Sequence, residues 1–345
     1  MRYLRGSNSA DRKPRTADLF SPLYSLPFFP PPPPAPPMWF KNLVIYRLHD
    51  WSLSASELED KLNQRPLLPC GNFDMQSRGW VQPAHEERLL YTQNQQHLLA
   101  LGVEQKLLPA SVINQTTKDR AKQMAQEQGF PVGRRQMREL KDRVAEELRA
   151  RAFCRRRVTH AWIDTVNQRL LVNAAGTNRA EELIETLRET LGTLPVTLLE
   201  TNKPPTVAMA AWLMLGDAPG HFSIDEDLEL QSPQENKAIV RYVRHPLEGK
   251  EIQTHISAGK HATRLGLTWA DRIALLLNDE LQIKRLQFLD ILKESTAEVS
   301  ESADEQFAID FALMTGELSK LVSELIDVLE GEKENEQAEP LRKRA

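Results

Sequence analysis

Arg155-Arg156-Arg157 stand together just ahead of a strand-like run, and the stretch from Lys118 to Arg157 holds thirteen Lys/Arg against six Asp/Glu. Guanidinium forks and ammonium groups at that density suit the phosphates of a polyanion, the first as bidentate donors and the second as point charges. Arg138, Lys141 and Arg151 lie in the same stretch, where one helix would carry them. A merely solvated basic face is the competing reading, and the residues alone leave it open. Aromatic side chains are sparse here, with only Phe130 and Phe153, so contact with a duplex backbone is favoured over stacking on unpaired bases. No helix-turn-helix or zinc-finger spacing is present to read base edges.

Residues for catalysis are harder to find. Gly176, Gly192 and Gly216 stand alone rather than in a phosphate-binding loop. The eight histidines show no H-E-x-x-H spacing, and the two cysteines, Cys70 and Cys154, are too few for a four-ligand zinc site or a disulfide framework. A nuclease needs carboxylates that hold divalent ions. Asp225-Glu226-Asp227 is the one tight acidic triplet outside the C-terminal segment, and it reads as a solvated or helix-capping loop between Ser223 and Leu228. Asp164, between Ile163 and Thr165, reads as a turn cap. Cys154 beside three arginines would have a lowered pKa, but without an identifiable base it reads as an ordinary small residue. The expectation is a chain with no catalytic residue, no metal and no cofactor.

The formal net charge of −4 hides a partition. Residues 118–157 are near +7, whereas residues 290–336 carry fourteen acids and three bases and are near −11. A polyanion responds to potential within a Debye length of about 10 Å, so a distant acidic segment does not cancel a basic surface. Hydrophobic residues at 41% exclude wholesale disorder and a membrane bundle. Ten of the 22 prolines fall in the first 37 residues. Pro30 to Pro37 can join neither helix nor sheet. This leader lacks the apolar core of a signal peptide; a proline-rich ligand is possible, and the simpler reading is a dispensable tail with Met38 as the natural first residue. The folded part would then be 308 residues carrying −7, since the leader holds five bases and two acids.

Periodicity supplies the elements that must position these groups. Trp39 to Leu48 is rich in aromatic and β-branched residues and predicts an interior strand. Ser54 or Ser56 caps a short helix to Gln64, and strands follow at Arg88–Gln93 and His97–Leu108. Pro109 to Gln128 and Arg134 to Phe153 carry thin apolar seams (Val112, Ile113, Ala121, Met124 and Ala125; Met137, Leu140, Val144, Leu148 and Ala152) about a Gly129–Gly133 break, which predicts a helical hairpin with a basic exterior. A β-hairpin spans Val158–Asn173, and a helix from Thr177 or Asn178 stops at Gly192. Pro195–Leu199 predicts a strand, Val207–Leu215 a helix, Lys237–Val243 a strand and Leu247–Ala258 a helix. Lys260–Leu267, Arg272–Leu277 and Leu281–Phe288 form a meander turning at Asn278-Asp279, with a bulge near Lys284-Arg285. Phe307–Leu329 closes the chain as an amphipathic helix. The class is α+β with mixed, largely antiparallel sheets and a protruding helical hairpin. Its parts divide as 1–37 leader, 38–108 N-terminal α+β part, 109–153 basic helical tip, 154–245 central α+β part, 246–330 C-terminal meander and helix, and 331–345 charged tail.

The chain resembles the RdgC family of bacterial recombination-associated proteins. The likeness starts at Met38-Trp39-Phe40-Lys41-Asn42-Leu43 and continues through Pro69-Cys70-Gly71, Gly79-Trp80-Val81, Lys106-Leu107-Leu108-Pro109 and Arg151-Ala152-Phe153. It runs on through Trp162 to Asn167, Leu191 to Val196, His255 to Lys260 and Asp310 to Leu318. The resemblance implies a homodimer that closes into a ring around double-stranded DNA, binds single-stranded DNA more weakly, and restrains RecA-promoted strand exchange. It implies a place in the cytoplasm on the nucleoid, with no membrane partner. By position it assigns Phe153 to a subunit contact, and Arg134, Arg135 and Arg244 to the positive surface. The family pattern has Lys-Gln where this chain has Arg244-His245, so a contact by that glutamine does not carry over. An exonuclease label also attaches to the family and is the alternative reading.

Overall fold

The computed structural model describes residues 39–84, 87–234, 237–289 and 302–333. The proline-rich leader, residues 290–301 and most of the charged tail lie outside the described residues. Within them the chain is α+β, with two antiparallel sheets and seven helices.

The first sheet draws on β1 (Val44–Leu48), β2 (Gln76–Val81), β3 (Leu90–Gln93), β4 (Gln96–Lys106), β5 (Cys154–Asp164), β6 (Arg169–Val172) and β7 (Val196–Leu198). Its order is β2-β4-β5-β6-β1-β7, and β3 pairs with β4 beyond the end of β2. β1 is interior, as its composition predicts. Val44, Tyr46 and Leu48 pack towards α1 (Ala55–Asn63) and α4 (Thr177–Leu191), while Leu43 and Ile45 join the core on the other face. A strand buried on both faces has no reason to alternate with polar residues. Ser54 caps α1, accepting from the Glu57 amide at 3.3 Å while the Glu57 carboxylate accepts from the Ser54 amide at 2.9 Å.

The second sheet is β12-β11-β10-β8-β9, built from β8 (Phe222–Gln231), β9 (Ile239–Tyr242), β10 (His261–Trp269), β11 (Ile273–Asn278) and β12 (Ile283–Phe288). The expected bulge is present: Ala274 faces Gln287 and Leu276 faces Lys284, so Leu275 stands opposite two residues, with Arg285 at φ 51°. Leu43 and Ile283 exchange backbone hydrogen bonds of 2.7 and 3.1 Å, which join the two sheets. The helix α5 (Pro205–Leu215) and the shorter α6 (Lys250–Ser257) pack beside this sheet. α6 begins later than Leu247 because Gly249 precedes its first turn.

Between the sheets runs the last helix, α7 (Ala303–Val328). It starts four residues before Phe307 because Ser302 caps it, accepting from the Glu305 amide at 3.2 Å. Phe311, Met314, Leu318, Leu321 and Leu325 are buried along it. Ser319 donates to Asp164 of the first sheet at 3.1 Å, and Trp269 of the second donates to Glu324 at 2.9 Å.

Asp164 does cap its turn. Oδ1 accepts from the amides of Val166 and Asn167, both at 3.1 Å, and from Gln96; Oδ2 accepts from Asn167 Nδ2 and Ser319. Asp164 is 1% exposed, and removing its carboxylate takes away the acceptor that the turn and α7 share. Asp164→Ala is expected to destabilise the protein by about 2–4 kcal/mol, read as a lower denaturant midpoint.

His160 of β5 gives a second expectation. Burial pulls its imidazole down to about 4 from the ordinary 6.5. The unfolded chain therefore takes up a proton at pH values where the native state does not, and stability is lost as pH falls through that window. The stability of His160→Gln relative to that of the parent should therefore rise from about pH 6.5 down to about pH 4 and be flat on either side. Denaturation at a series of pH values measures it.

Candidate nucleic-acid interface

Between β4 and β5 the chain leaves the first sheet as α2 (Ala110–Gln128) and α3 (Arg134–Arg151). The two helices pack through Ala121, Leu140 and Val144, flanked by Ile113, Met124, Val132, Met137 and Leu148. Val112, expected on this seam, is exposed instead. An ion pair between Arg120 and Glu147 at 2.7 Å ties the helices together, and Gly129 at φ 76° ends α2 in the left-handed conformation that glycine adopts freely. So narrow a seam leaves the remaining faces to polar and charged groups.

Arg134, Arg138, Lys141 and Arg151 are exposed on α3 and make no ion pair among the described residues. Arg135 is also exposed and holds Glu139 at 3.0 Å. α3 ends at Arg151 rather than running on to Phe153, because Ala152 is already extended and the chain turns into β5. In β5, successive side chains point to opposite faces of the sheet. Arg156 therefore points to the face opposite Arg155 and Arg157; Arg157 binds Glu182 of α4 at 2.8 Å, while Arg155 and Arg156 are exposed and unpaired among the described residues. The three consecutive arginines therefore do not form one patch.

Arg244 belongs to a different place. It follows β9 at φ 52°, and its amide donates to Asp227 Oδ1 at 3.2 Å. Asp227 also pairs with Arg285 at 3.0 Å. Here the acidic triplet departs from its expected loop, since Asp225, Glu226 and Asp227 lie inside β8. Leu265 faces Leu228 and Leu267 faces Ile224, so Gly266 alone stands opposite the three acids. A Cβ on Gly266 would come within 3.2 Å of Asp225 and 3.3 Å of Asp227, so glycine is what lets this bulge close. The triplet reads as a loop in sequence because it interrupts the apolar alternation of its strand. Thr268 donates to the Asp225 carboxylate, and burial raises the Asp225 pKa. Among the described residues no group of three or more His, Cys, Asp or Glu is placed to hold a metal ion.

Phe153 is 84% exposed, and the fold gives it neighbours that sequence reasoning missed. Leu107 N–H donates to its carbonyl at 2.7 Å, Arg149 donates to the Phe73 carbonyl at 3.1 Å, and the Lys106 amide donates to the Met75 carbonyl at 2.9 Å. Exposed Phe73 and Leu107 thus lie on segments bonded to the α3–β5 turn and share an apolar corner of the fold with Phe153, beside Arg151 and Arg155. The available signal was the aperiodic apolar content of the Pro- and Gly-marked stretch 66–75. Cys154 also departs from expectation. Desolvation of its thiol, and after it the Glu104 carboxylate, push the pKa up, outweighing Lys106, which sits directly opposite on β4. No helix among the described residues is long and apolar enough to cross a membrane.

Comparison with known proteins supplies the wider setting. The family model described as "Putative exonuclease, RdgC" matches residues 38–332. A recombination-associated protein RdgC from Dechloromonas aromatica is 48% identical over 299 residues, covering 86% of this chain and 98% of that protein. Its counterpart from Herminiimonas arsenicoxydans is 48% identical over 296 residues, covering 86% and 99%, and that from Bordetella parapertussis is 44% identical over 297 residues with the same coverage. Matches of that extent, over the whole described fold, make the chain a member of the RdgC family of recombination-associated proteins.

Proposed function

We propose that this protein binds duplex DNA without sequence preference, as a homodimer that closes into a ring, and that it thereby limits RecA-promoted strand exchange. The observation that carries the reading is the set of exposed, unpaired cations on α3 and the start of β5: Arg134, Arg138, Lys141, Arg151, Arg155 and Arg156. Cations without a protein partner are free to replace the counterions of a phosphate backbone, and no element here presents a base-reading motif. The relatives' name, recombination-associated, agrees with a role on DNA. Phe153 and the apolar corner around it serve the contact between subunits, and Arg244 adds charge from the second sheet. The protein acts in the cytoplasm on the nucleoid, needs no cofactor, binds single strands more weakly than duplex and has no membrane partner.

The family description keeps a second reading in view, a metal-dependent exonuclease. Asp225 and Asp227 are its best carboxylates, and they are engaged by Thr268 and by Arg285. Purified protein incubated with end-labelled linear duplex and magnesium or manganese separates the readings. The proposal expects retained, full-length DNA at low salt; label released by the parent but not by Asp225→Ala would establish the nuclease instead.

A further inference from the structure

The chain has two cysteines in 345 residues, and the fold brings both beside Glu104 and Lys106 at the end of β4. Glu104 Oε2 accepts the Cys70 amide at 3.3 Å, and the same carboxylate is near enough to Cys154 to raise the pKa of its thiol. Cys154 is exposed at the first position of β5, held in the ladder opposite Lys106. Cys70 is partly buried in the stretch 66–75, which runs over the edge of the first sheet. Lys106, the ladder partner of Cys154, also reaches the loop beside Cys70, its buried ammonium donating to the carbonyls of Gly71 and Asn72 at 2.5 and 3.1 Å. One partner is therefore fixed in a sheet. The other lies on a loop that these bonds tie to the sheet, with its own thiol donating to the Asp74 carbonyl at 3.5 Å.

We propose that Cys70 and Cys154 are a redox pair that closes an intrachain disulfide when the protein meets a small-molecule disulfide such as oxidised glutathione. The exposed Cys154 reacts first. Its thiol loses a proton to solvent, the thiolate attacks one sulfur of the oxidised glutathione, and one glutathione thiolate leaves. Cys70, deprotonated in turn, attacks the Cys154 sulfur of this mixed disulfide and expels the second glutathione. The two protein thiols are oxidised and one glutathione disulfide is reduced to two thiols. The bond ties the loop bearing Leu68 and Phe73 to the strand bearing Arg155 and Arg156, at the corner that also exposes Phe153. In a reducing compartment the pair stays as thiols. This inference does not rest on the DNA-binding reading.

The full-length native protein is treated with oxidised glutathione at mildly alkaline pH, alkylated with iodoacetamide in denaturant, and weighed by intact-mass spectrometry. The expected species has lost the mass of two hydrogens, takes up no alkyl group, and gives a Cys70–Cys154 linked peptide after digestion. Cys70→Ser should stop at the intermediate and carry one glutathione on Cys154. A parent chain that keeps glutathione on one or both cysteines, forms only interchain bonds, or stays fully alkylatable would overturn the proposal.

Discussion

Replacing Arg155 and Arg156 together by glutamate is expected to weaken duplex binding for every sequence alike. Each phosphate contact on B-form DNA contributes about 0.9 to the slope of log affinity against log salt. Losing two should therefore make the slope shallower by roughly 1.8 and cost roughly sixty-fold in affinity at 0.1 M salt, before any repulsion from the new carboxylates. Both guanidiniums are exposed and make no ion pair among the described residues, so each is available to a phosphate. Arg157→Ala provides the contrast: its charge already faces Glu182 at 2.8 Å, so its loss should alter DNA affinity far less. Fluorescence-anisotropy titrations over a series of salt concentrations measure both variants. Unchanged affinity in the double variant would make this basic stretch an ordinary solvated face.

The largest stability effect is expected at Phe311. Its side chain is fully buried on α7, and its ring meets Tyr91 edge-on with centroids 5.2 Å apart. Because α7 packs against both sheets, a cavity there is felt by the whole core rather than by one layer. Phe311→Ala should cost about 3–5 kcal/mol. A reduced denaturant midpoint with an unchanged slope would show that the native fold survives and is less stable. Lys122→Ala on the exposed face of α2 should stay within about 0.5 kcal/mol of the parent.

Most of the fold was readable in the residues because burial leaves a periodic trace. The continuous apolar run at β1, the step-of-three-and-four stripe of α7 and the phase shift at Arg285 each report which face a backbone turns to the core. Legibility fails where position depends on partners distant in sequence. Asp225-Glu226-Asp227 looks like a loop because nothing near it announces Gly266, which makes room for the bulge. Arg155, Arg156 and Arg157 look like one patch until strand alternation and Glu182 divide them. The apolar corner at Phe153 was half visible: the phenylalanine stands out beside the arginines, but Phe73 joins it only through long-range hydrogen bonds from Lys106 and Arg149. Cys154 shows the same limit in its electrostatics, where desolvation and the Glu104 carboxylate, distant in sequence, raise its pKa despite the arginines that follow it in the chain.

The most direct test of the central claim is the affinity of the parent protein for two duplexes of equal length and unrelated sequence, each followed from low to moderate salt. Equal affinities are expected at every salt concentration, with a straight, steep fall of log affinity with log salt whose slope reflects several neutralised phosphates. Absence of binding at low salt, binding indifferent to salt, or a strong preference for one of the two sequences would contradict it.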